Sequence, residues 1–73
     1  MKLLTLAKKL DFNTETEYFD YCINSYVNGN FTQCRKLFSD MTKKDRKRLI
    51  EYIANCHPCG THSKEYIWYW NLL

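Results

Sequence analysis

Apolar residues return every three or four positions along most of this chain, which is the spacing of an amphipathic helix. Leu3, Leu6, Ala7 and Leu10 form the first such set and predict a short helix, with a strand through Lys2 to Leu6 as the competing reading. Asp11-Phe12-Asn13 reads as a break. Thr14 then stands three residues before Glu17, the pairing of a capping box, in which each side chain satisfies the other's free backbone N–H. Beyond it Phe19, Cys22, Ile23 and Tyr26 share one face, with Tyr18 and Val27 on its margins and Glu17, Asp20, Asn24 and Asn28 opposite. Asn28-Gly29-Asn30 stops this second helix, because Gly29 takes a left-handed conformation at little cost.

Phe31, Cys34, Leu37, Phe38 and Met41 continue at helical spacing, so Asn-Gly is read as a helix stop and not as a hairpin turn. Thr42 and Asp45 repeat the capping arrangement ahead of a face made by Leu49, Ile50, Ile53 and Cys56. Pro58 disfavours a helical His57, so this helix ends near Asn55 or Cys56, and Gly60 to Ser63 reads as loop with Ser63 as the next cap. The last segment, Glu65 to Leu73, is apolar on both sides. As a helix it puts Tyr66, Tyr69, Trp70 and Leu73 on one face and Ile67, Trp68 and Leu72 on the other. As a strand it would divide the same residues differently and still leave no polar face. Such a segment needs cover from its own domain and from something further, either the N-terminal leucines or another subunit.

These elements predict one all-α domain over residues 1–73, an antiparallel bundle of three to four short helices. The alternative is an α+β fold with the two termini paired as strands. The chain has 73 residues, a size that buries only about 60% of its unfolded surface, and its 45% apolar content offsets that thin margin. Leu3 to Ala7 is too short for a signal sequence, and no stretch approaches the roughly 18 apolar residues of a membrane span, so a cytoplasmic protein is expected. Cys22 and Cys34 fall on helical apolar stripes, where a thiol acts as a small hydrophobe, which argues for reduced cysteines over a disulfide framework.

Charge alters the picture in one place. Residues 1–34 and 49–73 each carry a net −1, whereas residues 35–48 carry +5. Lys43, Lys44, Arg46, Lys47 and Arg48 crowd the first turns of the fourth helix, where free N–H groups already favour phosphate. The preceding helix and short turn allow a helix-turn-helix reading with residues 43–50 as the recognition element. The opposing reading is a solvated face: the Arg46 stem covers the core edge, Lys47 pairs with Glu51 and Arg48 with Asp45.

Cys56-His57-Pro58-Cys59, with His62 beyond, has ligand types suited to zinc, and Cys22 or Cys34 would have to complete the site. The chain lacks a second knuckle, so no metal or other cofactor is expected. The same Cys-x-x-Cys resembles a thioredoxin-type pair, but it follows a helix, whose negative end raises a thiol pKa. No serine has an elbow motif and no catalytic constellation stands out, so neither an enzyme nor a small-molecule substrate is expected. The aromatics weigh more. One small core cannot take all of Tyr18, Tyr21, Tyr26, Tyr52, Tyr66, Trp68, Tyr69 and Trp70. Tyr and Trp are the usual anchors of interfaces, so a protein-binding surface built on Tyr66, Trp68, Tyr69, Trp70 and Leu72 is the leading expectation, self-association included. Nucleic acid is the second.

The run Tyr26-Val27-Asn28-Gly29-Asn30-Phe31, then Cys34 to Leu37-Phe38, then Met41 through Asp45-Arg46-Lys47 to Ile50 and Tyr52-Ile53, resembles short helical proteins of gut Bacteroidales and their phages and mobile elements. That family has no known active site to carry over. The resemblance implies a bacterial host cytoplasm and an accessory role, such as binding a host or phage protein or inhibiting a host defence.

Overall fold

Helix-stop chemistry divides the chain, and a computed structural model, which describes residues 2–56 and 62–73, shows how. The helices are α1 (Leu3–Lys9), α2 (Glu15–Val27), α3 (Phe31–Asp40), α4 (Lys43–Cys56) and α5 (Lys64–Leu72). The fold is all-α, and the described residues include no strand. Both termini expected as strands under the alternative reading are helical, and the described residues hold five helices where three or four were expected. Pro58 and Gly60 lie outside the described residues.

Each boundary has a local cause. Thr14 accepts the Glu17 N–H at 3.2 Å, Thr42 accepts that of Asp45 at 3.2 Å, and Ser63 accepts that of Tyr66 at 3.1 Å. α2 closes in a Schellman turn: Gly29, at φ +80°, donates to the Tyr26 carbonyl and Asn30 to that of Ser25. α1 closes in the same way on Asp11, at φ +64°, with Asp11 donating to Lys8 and Phe12 to Ala7. There the left-handed position is held by a residue with a Cβ, which costs about 1–2 kcal/mol relative to glycine.

α2 is the hub, touching α1, α3 and α5, while α4 packs on α5. α2 and α3 run antiparallel, since Tyr18 meets Leu37, Tyr21 meets Gln33 and Tyr26 meets Phe31. α4 runs parallel to α2: Arg48 bonds Glu15, and Tyr52 donates to Asp20 at 2.7 Å and packs on Phe19. The core comprises Leu3, Leu6 and Ala7 from α1, Tyr18, Phe19 and Cys22 from α2, Cys34, Leu37 and Phe38 from α3, and Leu49, Ile50 and Ile53 from α4, closed by Met41 and Tyr69. α2 is rolled slightly from the expected face: Tyr18 is fully buried, Ile23 and Tyr26 are half-buried, and Val27 is exposed. The reason is the Tyr18 hydroxyl, which donates to the Leu37 carbonyl at 2.8 Å and draws that side of the helix inward. The radius of gyration, 11.1 Å, matches the value of about 11 Å expected for a compact chain of this length.

Burial holds the phenols of Tyr18 and Tyr69 and the thiol of Cys22 well above their ordinary titration ranges. The folded state therefore keeps three protons that the unfolded chain releases at ordinary pH values. Stability from these groups is fully present below the unfolded values, about 8.5 for Cys and about 10 for Tyr, and is lost as pH rises toward the folded ones. Urea unfolding followed against pH is expected to show a decline beginning near pH 9, of up to about 1.4 kcal/mol per pH unit per group. A second pair of variants checks the turns. Asp11→Gly is expected to stabilise by about 0.5–1 kcal/mol, and Gly29→Ala to destabilise by about 1 kcal/mol although no atom lies within 4 Å of the added methyl.

Candidate functional site

α5 forms as a helix because Ser63 caps it and Glu65 occupies its first turn, where a carboxylate suits the helix dipole. Its aromatics then separate by direction. Tyr69 points inward and is fully buried, its ring against Phe38 and its hydroxyl donating to the Cys22 carbonyl at 2.6 Å. Tyr69 was expected in the interface, and that expectation is corrected: it is a core residue, because a carbonyl of α2 lies within reach of its hydroxyl. Trp68 is half-buried between Tyr26 and Phe31, with ring centroids 5.4 and 5.7 Å away, and the Arg35 guanidinium lies 5.9 Å from its centroid. Leu72 is likewise half-buried against the core.

Of the five expected interface residues Trp70 alone is exposed, and Tyr66 joins it in lining a surface groove. Trp70 is 55% exposed, and Tyr66, half-buried, stacks its ring on it with an interplanar angle of 7°. Beside them are residues that had not been assigned to a site, Ile67 at 52% exposure and Leu73 at 39%. The N-terminal leucines do not cover this face, since α1 packs mainly on α2. Between α5 and α4 runs a groove of about 230 Å³ whose α5 wall is Tyr66, Trp70 and Leu73. Its α4 wall is Lys47, Ile50, Glu51 and Ala54. Those four are spaced i, i+3, i+4 and i+7, one stripe of a helix, so the α4 half of the groove was readable from spacing once α5 was known to lie alongside. Ile50 forms a buried floor and Ala54 leaves space above it.

The basic segment is divided as well. Arg46 donates from Nε to the Phe38 carbonyl at 2.9 Å and from a terminal nitrogen to that of Ser39 at 2.9 Å, and its guanidinium lies 5.5 Å from the Phe38 ring centroid. It thereby adds side-chain donors at the α3 C-terminus, where the Phe38 carbonyl also accepts from the Met41 N–H at 3.2 Å. Arg48 bonds Glu15 and Asp45, each at 3.0 Å, and these hydrogen bonds, Glu15 foremost, raise its pKa. Lys43, Lys44 and Lys47 are exposed. The expected Lys47–Glu51 pair is corrected: both ion pairs among the described residues belong to Arg48. The recess at the start of α4 holds Glu15 and Asp45 beside Lys2, Lys44 and Arg48, so its charge is mixed.

Of the zinc candidates, Cys59 and the side chain of Cys56 lie outside the described residues, and His62 is exposed. Cys22 and Cys34 are buried free thiols, and the Cys34 thiol points at the Cys22 carbonyl, 3.9 Å away. Among the described residues no cluster of three potential metal ligands occurs, and no helix is long and apolar enough to cross a membrane. Comparison with protein-family models, curated proteins and solved structures finds no match.

The division of the basic segment can be measured. Arg46→Lys keeps the charge but loses the two-carbonyl fork, and is expected to cost about 1.5–3 kcal/mol in urea unfolding. Alanine at Lys43, Lys44 or Lys47 is expected to change stability by no more than about 0.5 kcal/mol.

Proposed function

We propose that this chain is a small, non-enzymatic protein-interaction module that acts by stoichiometric binding through the α4–α5 face. The observation that supports this most is Trp70, a large aromatic left half in solvent and held flat by Tyr66 at the rim of an apolar groove. A solvated tryptophan beside a buried isoleucine floor has the character of an interface anchor, and a folding core does not need it there. Ile67 and Leu73 extend the same apolar surface. The resemblance to short phage and mobile-element proteins of gut Bacteroidales favours an accessory factor in a bacterial cytoplasm, one that binds a host or phage protein and inhibits it, as a defence inhibitor would. No cofactor, membrane or small-molecule substrate enters this reading.

A second reading has its own support. Lys43, Lys44 and Lys47 are exposed in the N-terminal half of α4, a helix of 14 residues, and could meet phosphates of a nucleic acid. It is the weaker of the two because Arg46 and Arg48 are bound to the protein's own carbonyls and carboxylates.

A photo-crosslinking residue at position 70, introduced in the native host, is expected to yield discrete protein adducts. Trp70→Ala is expected to weaken binding to the captured partner about 30-fold, the effect of an anchor contributing about 2 kcal/mol, with the fold unchanged. Alanine at Lys43 and Lys44, which lie outside the groove, should leave that binding intact, whereas the triple variant that adds Lys47→Ala also removes a groove residue. If instead DNA or RNA binds with a steep negative salt slope of about three, and the lysine triple variant abolishes it, the second reading holds and the first falls.

A further inference from the structure

The α4 wall of the groove alternates in charge and apolarity along one stripe: Lys47, Ile50, Glu51, Ala54. Lys47 and Glu51 are both exposed, and neither forms an ion pair with a described residue. Opposite charges one helical turn apart make a stripe complementary to itself when reversed. A two-fold axis crossing α4 between these residues sets Lys47 of each copy against Glu51 of the other, two ion pairs from one pair of residues. The same operation lays the second α4 along the groove, over Ile50, where Trp70 closes against it. We infer that the occupant of this groove is a second copy of this chain, giving a symmetric dimer with an antiparallel α4–α4 seam flanked by the two α5 helices.

This inference rests on the interaction reading above and gives its partner. Size sets the strength of the association. A standard interface takes about 800 Å² from each partner, about one sixth of the 4768 Å² that this molecule exposes. The body measures 30 × 23 × 20 Å, so the α4–α5 face, less than one full side, falls at or below that standard. An interface of that size is compatible with a reversible dimer, to be sought from micromolar concentration upward.

Sedimentation equilibrium from micromolar to millimolar concentration tests the state, and a charge swap tests the seam. Lys47→Glu places four like charges across the axis, and so does Glu51→Lys, so each variant alone is expected to self-associate at least about tenfold more weakly. Mixed in equal amounts, the two variants restore the attraction at both contacts and are expected to form a heterodimer as tightly as the parent. Both positions are solvent-exposed, and circular dichroism verifies that the variants fold. A parent chain that stays monomeric at every concentration overturns the inference, as do single variants that dimerise like the parent or a mixture that gains nothing. A monomer whose residue 70 crosslinks to a different protein overturns the second copy while leaving the interaction module standing. Absence of any adduct at residue 70 together with a monomer overturns both.

Discussion

The carbonyl of Cys22 lies at the centre of the molecule, and the Tyr69 hydroxyl donates to it at 2.6 Å. That bond crosses 47 residues of sequence and ties the last helix to the second. Its geometry requires α2 and α5 to approach closely, and small side chains at Cys22 and Cys34 allow this. A leucine at either position would hold the helices apart. The thiol of Cys34 points at the same carbonyl, so three elements converge on one backbone oxygen in the dry interior. A buried hydroxyl without a partner costs about 1–3 kcal/mol, so any rotation of α5 that withdrew Tyr69 from Cys22 would be opposed by that amount. The orientation of α5 is thereby set, and with it the residues it turns outward. With Tyr69 turned inward, the step of about 100° to the next residue carries Trp70 to the outer side of the helix, as the step back carries Trp68 toward Tyr26 and Phe31.

The two arginines of α4 provide a second set of constraints. Arg46 binds the open end of α3 and Arg48 binds the first turn of α2 through Glu15. Both hold α4 against helices that precede it in the chain, in a protein too small to rely on apolar area alone. The Arg48 pairs are exposed and contribute little each. Arg46 contributes more, since its fork meets two carbonyls at the α3 C-terminus, Ser39's and that of Phe38, which also accepts from Met41. Two of the five basic residues at the start of α4 therefore join helices, and Glu15 and Asp45 lie close to one of them, Arg48.

Local signals in the sequence were legible and long-range ones were not. The caps at Thr14 and Thr42, the cap at Ser63 and the stop at Gly29 each depend on a few adjacent residues, and each is realised in the structure. The apolar stripes of α2, α3 and α4 followed from spacing, so the all-α fold followed too. The direction of each aromatic on α5 did not, because every face of that helix is apolar and periodicity cannot choose between them. Tyr69 was assigned to the interface for its residue type, and its burial depends on a carbonyl 47 positions away. The role of Arg46 was hidden in the same way: its stem was read as core cover, but the α3 carbonyls are brought to it only by the angle between two helices. The α4 wall of the groove is a stripe in the sequence too, but with Ile50 and Ala54 as its apolar members it does not stand out from a solvated face.

Exposed apolar surface on a chain this short has a consequence for solubility as well as binding. Trp70 and Leu73 line the groove, but Leu4, Val27 and Phe31 are exposed elsewhere, so what would make association through this face directional is the charge beside it. Lys47 and Glu51 on the groove wall would favour a partner with matched charges over one whose charges are reversed. The groove is open at its outer side and floored by Ile50, a residue at the same time part of the core. Mutations that loosen the core at Ile50 would therefore also deform the docking surface, which couples folding to recognition. In a domain with so little interior, the side chains that hold the fold and those that define its binding face are next to one another on the same helical turns, and the Tyr69–Trp70 step is where one role passes to the other.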